Sequence, residues 1–151
     1  MTAEERSATM VGAIPGKQGV VTFAGVAHPW MCDAMGHLNV RHYAAMFDDA
    51  SFQLLGKLSG TGQAREVGWA DVRHEVEFMR ETPAGTLLTI RTAVVRIGRS
   101  SVAYRHEMAS TISGQVHAVS TVTSVRFDLS ARKSLDLDPE TRHRAEALLS
   151  A

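Results

Sequence analysis

The chain has 151 residues, 44% of them hydrophobic, a single cysteine (Cys32), and 16 basic against 16 acidic side chains, so its formal net charge is zero. Zero net charge argues against binding bulk nucleic acid or an anionic membrane surface, one cysteine excludes an internal disulfide, and no stretch approaches the ~20 apolar residues of a membrane-spanning helix. The length suits one domain, and the polar start from Met1 to Ser7 carries no apolar signal core, so a cytoplasmic setting is expected.

Residues 1–18 are polar and punctuated by Gly and Pro, which predicts a flexible N-terminal arm ahead of a single domain over 19–151. Gly19 to Val26, rich in Val and Phe, reads as a strand, broken by His28-Pro29. The loop Asp33-Ala34-Met35-Gly36-His37-Leu38-Asn39 then opens a helix from about Val40 to Leu58. Val40, Tyr43, Ala44, Phe47, Ala50, Leu54 and Leu58 recur at helical spacing and predict its buried stripe. Asn39 is placed to cap it, and Gly60 and Gly62 end it.

Four strand-like segments follow. Val72 to Met79 alternates, with Val72, His74, Val76 and Phe78 on one face. Thr86 to Ile97, Ser101 to Thr111 and Gln115 to Asp128 are the others. The connections Thr82-Pro83-Ala84-Gly85, Gly98-Arg99-Ser100 and Ser113-Gly114 are short, which predicts an antiparallel meander. Asp138-Pro139-Glu140 is a cap, a proline at the first helical position and an acidic first turn, so a short helix should run to about Leu149. An apolar sheet face must be covered, and only one helix is long enough to cover it. The expected class is α+β: one long helix wrapped by a curved antiparallel five-stranded sheet, plus a short C-terminal helix.

The chemistry concentrates at the loop. A helix start presents unpaired N–H groups and the positive end of its dipole, which together hold an anion or the oxyanion of acyl transfer. An acid aimed at the same point completes a hydrolytic site. From the residues alone, Asp33 reads as a turn residue at least as readily as a catalytic acid.

Asp33, Gly36, His37, Asn39, Tyr43, Phe47, Asp48 and Asp49 stand at the spacing of a family motif, the strand order fits over about residues 19–128, and Gly98-Arg99-Ser100-Ser101 fits between strands. On these features the chain resembles the hotdog-fold acyl-CoA thioesterases, specifically the 4-hydroxybenzoyl-CoA thioesterase type. The resemblance implies hydrolysis of an acyl-CoA thioester to a free acid and coenzyme A, with no cofactor. Asp33 would be the nucleophile or general base, and the helix N-terminal N–H groups the oxyanion hole. Gly36, His37 and Asn39 would complete the catalytic set, while Tyr43, Arg99 and Ser101 would contact substrate. It also implies a homodimer or homotetramer. Val40 stands where the family often has a second Asn, Ser51 where it has an Arg, and Met31 where it has another Asp. These departures mark a substrate pocket unlike that of the better-known members.

Each candidate has a plainer reading. Gly36 is also an ordinary turn glycine, His37 a loop brace, and Tyr43 a core residue on the apolar stripe. Asp48 and Asp49 are rival helix acids, read first as a polar face. His74 reads as a core or interface histidine. His28, Cys32, His37 and His42 match no closed zinc pattern, and Asp33 beside Cys32 would raise the thiol pKa, so a thiol nucleophile is disfavoured. Arg96 reads as a solvated turn charge, whereas the Arg99 fork suits phosphate. Trp30, Met31, Met35 and Met46 suggest an apolar wall near the motif. Two other functions compete: a hotdog hydratase or dehydratase, disfavoured because Asp33 and His37 are four apart with no Asn-Pro between them, and a non-catalytic acyl-CoA-binding or regulatory module, which shows no DNA-binding helix pair.

Overall fold

A computed structural model describes residues 19–62 and 64–150; the arm expected over 1–18 lies outside them. In chain order the elements are β1 (Val20–Val26), a 3-10 turn (Pro29–Met31), α1 (Val40–Ser59), β2 (Val67–Phe78), β3 (Leu87–Ile97), β4 (Ser101–Ser110), β5 (Val116–Asp128), β6 (Lys133–Ser134) and α2 (Pro139–Ala147). The long helix packs on one face of an antiparallel sheet, as the pattern predicted. The 3-10 turn and the two-residue β6, which pairs with the end of β5, are additions.

The helix starts where an acceptor side chain meets its free donors: Asn39 Oδ1 accepts from the Arg41 N–H at 3.1 Å. It ends at Gly60, whose φ of 70° closes the last turn. Its buried stripe is Tyr43, Met46, Phe47, Ala50, Ser51, Leu54 and Leu58. Val40 and Ala44 are exposed, a correction to the predicted stripe. The periodicity allowed a wider arc; the sheet covers one centred on Phe47 and Leu54, and Met46 takes the place expected of Ala44. At α2, Asp138 accepts from the Thr141 hydroxyl at 2.7 Å and from the Thr141 N–H at 2.9 Å, and these hydrogen bonds hold its carboxyl below the usual carboxylate range.

The simple meander is also corrected. The sheet order is β1-β3-β4-β5-β2. β3, β4 and β5 do form a meander, but β2 crosses to the far edge and pairs with β5, although only a short Pro-Gly segment joins β2 to β3. That segment is held by the Asp33 loop instead of closing a hairpin: Leu38 N–H donates to Thr82 O at 2.8 Å and Ala84 N–H to Gly36 O at 3.1 Å. β2 also begins earlier than expected and carries a bulge at Val72, between the Asp71–Ser124 and Arg73–Thr123 pairs. The bulge breaks the predicted face. His74 and Val76 remain opposite the inward-facing Val122 and Ser120, while Val72 drops out of register and is exposed.

The core has two apolar clusters. One lies near the helix start around Phe47, Met46, Ile90 and Met108, the other near its end around Leu54, Leu58, Tyr104 and Val122. A buried polar layer separates them. Ser51 Oγ meets His106 Nε2 at 2.9 Å, His106 Nδ1 meets Thr92 Oγ1 at 2.6 Å, and Thr92 Oγ1 meets Thr22 Oγ1 at 2.7 Å. Thr22 spends its one hydroxyl hydrogen on Ile90 O. Thr92 must therefore donate to Thr22 and accept from His106, so His106 carries its proton on Nδ1 and accepts from Ser51 at Nε2. Burial, with the charge of His74 behind it, holds His106 down at about 3 instead of 6.5.

Candidate active site

The loop between the 3-10 turn and α1 is built around Asp33. Its Oδ1 accepts from the Met35 N–H at 2.9 Å and the His37 N–H at 3.2 Å. Main-chain bonds from Gly36 N–H to Asp33 O and from Asp33 N–H to His37 O close the turn. Among the described residues Oδ2 has no protein partner, so the carboxylate is oriented by one oxygen and offers the other. Gly36 has φ of 78°, the left-handed region that favours glycine, and the space where a Cβ would stand is open.

The carboxylate sits in a cleft of about 310 Å³ lined by Met35, His37, Leu38, Val40, Tyr43 and the segment from Phe78, the last residue of β2, to Glu81. Tyr43 is buried, its hydroxyl 2.6 Å from Thr82 Oγ1 and its ring edge-on to Phe78; burial pushes its phenol up. The His37 imidazole reaches Glu81 through Nε2 at 3.3 Å. It is the His37 main chain, not the imidazole, that braces the acid. The sequence placed Phe78 on the apolar face of its strand but did not place it or Glu81 beside Asp33, because a crossover strand brings them to the loop.

The donors at the helix start are mostly taken. Arg41 N–H goes to the Asn39 side chain, His42 N–H to Asn39 O, Asn39 N–H to Met31 O, and Leu38 N–H to Thr82 O. That leaves the N–H of Val40, a residue that lines the same cleft, without an acceptor among the described residues. An unpaired donor at a helix N-terminus beside an oriented carboxylate can polarise a carbonyl while the acid side attacks it.

Other candidates fall elsewhere. Arg99 and Ser101 lie at the β3–β4 turn, at the opposite end of the sheet from Asp33, a strand length or roughly 33 Å away along β3. Arg99 pairs with Asp136 at 3.2 Å. Asp48 and Asp49 are exposed, as is Arg96. His74 is exposed too, its Nε2 2.6 Å from Ser120 Oγ. The expected apolar wall is split in two. Met35 lines the Asp33 cleft, while Trp30, Met31 and Met46 line a second cleft of about 280 Å³ between β1 and the helix. Trp30 stacks on His28 and meets His42 edge-on, and Cys32 Sγ reaches His28 O.

A single long helix lying across a curved antiparallel sheet, with an oriented acid on the loop that opens the helix, is the hotdog architecture. Solved structures agree on the fold. PA5185 from Pseudomonas aeruginosa matches with a TM-score of 0.77 at 20% identity, over 89% of this chain and 95% of its own. Slr0204 from Synechocystis, a 1,4-dihydroxy-2-naphthoyl-CoA thioesterase, matches with a TM-score of 0.72 at 16% identity, over 85% and 96%. SAV2348 from Staphylococcus aureus, solved in complex with CoA, matches with a TM-score of 0.77 at 10% identity, over 89% of each chain. No curated protein matches the sequence. The thioesterase-like superfamily model matches residues 27–145, and the chain belongs to that family. Among the described residues no helix is long and apolar enough to cross a membrane.

Proposed function

We propose that the chain hydrolyses an acyl-CoA thioester to a free acid and coenzyme A. The observation that carries this reading is the pairing, in one cleft, of an Asp33 carboxylate held by one oxygen with an unengaged Val40 N–H at the helix start. Asp33 Oδ2 attacks the thioester carbonyl carbon, or takes a proton from a water that does so. The carbonyl oxygen gathers charge toward the Val40 N–H. The C–S bond then breaks and the thiolate leaves without needing an acid; where Asp33 itself attacked, water then hydrolyses the acyl–Asp33 anhydride, releasing the free acid and restoring the carboxylate. Gly36 leaves room for the thioester, Asn39 fixes the helix start, His37 holds the loop, and Tyr43 with Phe78 forms an apolar wall for the acyl group. Release of free thiol from a panel of aliphatic and aromatic acyl-CoA thioesters tests the reading. Binding of coenzyme A without hydrolysis of any member would favour a non-catalytic acyl-CoA-binding module.

The working unit in this reading is a homodimer, or a homotetramer built from it. Among the described residues β2 leaves a sheet edge open, and Val72 and Phe78 on that strand stand 63% and 51% exposed, apolar surface along an edge that a lone chain should not leave. Antiparallel pairing of two β2 edges about a two-fold axis lays the far end of one sheet beside the Asp33 end of the other. Arg99 and Ser101 then serve the Asp33 cleft in trans. Sedimentation at micromolar concentration should give a dimer or larger; a stable folded monomer would sink this arrangement. Arg99→Ala should raise KM and flatten its salt dependence with kcat little changed, because a phosphate contact is shared by ground and transition states. An unchanged KM would remove Arg99 from the site.

A further inference from the structure

Arg80 is the one arginine or lysine that lines the Asp33 cleft. It is tied twice to the start of β5. Its main-chain N–H donates to His117 O at 3.2 Å, and its Nε–H donates to Val116 O at 3.1 Å. With Nε spent on a carbonyl, the planar guanidinium keeps its outer pair, Nη1 and Nη2. Neither has a partner among the described residues. The neighbouring carboxylate does not pair with it, because Glu81 reaches His37 instead. Arg80 is exposed, so the pair is open to a ligand. Two parallel donors of this kind fit one anion, a carboxylate or a phosphate.

An acyl-CoA thioester carries two candidate anions: the coenzyme A phosphates and any acid group on the acyl chain. Reach separates them. About a dozen bonds run from the thioester sulfur along the pantetheine arm to the nearest phosphorus, the length of about four extended residues, or roughly 13 Å. A sphere with the volume of the cleft is only about 8 Å across. With its carbonyl between Asp33 and the Val40 N–H, an extended thioester has its phosphates outside the cleft that Arg80 lines. The acyl chain stays within it, beside the edge-on Tyr43 and Phe78 rings.

We infer that the substrate is an acyl-CoA whose acyl group ends in a carboxylate, and that Nη1 and Nη2 of Arg80 bind that carboxylate. This rests on the thioesterase reading above and adds the acyl class to it. The chain runs from the carbonyl at Asp33 past Tyr43 and Phe78 to Arg80. Hydrolysis releases a dicarboxylic acid and coenzyme A. Without Arg80 the terminal carboxylate would meet only Asp33 and Glu81, two groups of its own sign. A neutral chain covers the guanidinium without pairing it, so the site discriminates against it.

The test uses acyl pairs that differ only at the far end: adipoyl-CoA with hexanoyl-CoA, and 4-carboxybenzoyl-CoA with benzoyl-CoA. Thiol release gives kcat/KM for each. In at least one pair the acid-ended member should lead by roughly 10-fold or more, the scale of a charge-assisted hydrogen bond. Arg80→Gln should erase that lead, chiefly by raising KM for the acid-ended member. Arg80→Lys, which keeps the charge and loses the fork, should retain part of it. A folding defect slows both members of a pair alike, so the ratio reports the contact itself. A lead that survives in Arg80→Gln overturns the role of Arg80, and equal increases in KM for both members would move that residue to the coenzyme A moiety. Neutral members hydrolysed as fast as acid-ended ones overturn the acyl class and leave the thioesterase reading standing. Hydrolysis of no thioester in either pair or in the wider panel overturns both.

Discussion

Asp33→Asn is expected to lower kcat by at least ~10²-fold, the lower range for losing a positioned general base. The amide is nearly isosteric and its oxygen can still accept from the Met35 and His37 N–H groups, so the loop and the Asn39 cap should persist. Coenzyme A affinity and the melting temperature should therefore stay close to wild type. What is lost is the free oxygen's ability to attack or to take a proton. Asp48→Asn, on an exposed helix position, should leave kcat within a few-fold. The discriminating measurement is kcat for both variants on the best substrate of the panel. If Asp33→Asn retains most of the rate and Asp48→Asn loses it, the catalytic acid is on the helix and the loop is only a scaffold.

Acid should unfold this protein through His106. In the folded chain both ring nitrogens are occupied by hydroxyls in a buried layer, and burial holds the group at about 3. In the unfolded chain it titrates near 6.5. Between these values the unfolded state binds the extra proton, so stability rises with pH and is lost as pH falls below about 6.5. The loss is roughly 1.4 kcal/mol per pH unit, on the order of 5 kcal/mol by pH 3, a large part of the roughly 5–15 kcal/mol that holds a domain folded. Denaturant midpoints measured from pH 7 to pH 4 should show it. His106→Gln can keep one donor and one acceptor but cannot titrate, so its stability should fall less steeply by about one proton. Equal slopes for the two proteins would mean that His106 is not the buried neutral group described.

The same residue shows how far a sequence can be read. Val102, Tyr104, His106 and Met108 alternate in the chain, which is enough to place His106 on the covered face. Nothing in the chain says that Ser51 of the helix and Thr92 of β3 will stand on either side of its ring. Those partners are 55 and 14 residues away. A hydrogen-bond layer of this kind exists only once helix and sheet are packed.

Local signals were determined by the sequence. The helix start at Asn39, its stop at Gly60, the turn at Gly36 and the cap at Asp138 are set by side chains bonding or freeing their own neighbouring backbone, and all four are found where the residues put them. The same holds for the Asp33 loop, whose carboxylate, glycine and cap interact within seven residues. Strand order was decided by the tertiary structure. The short Thr82–Gly85 segment reads as a hairpin turn, yet β2 pairs with β5, because main-chain bonds from Leu38 and Ala84 tie that segment to the loop and leave β2 free to cross. That crossing sets the Phe78–Glu81 wall beside Asp33, exposes one edge, and puts Arg99 at the far end of the sheet. Each is a relation between segments far apart in the chain. Residue spacing encodes contacts along one element, whereas contacts between elements depend on which alternative packing buries the most apolar surface while pairing its polar groups.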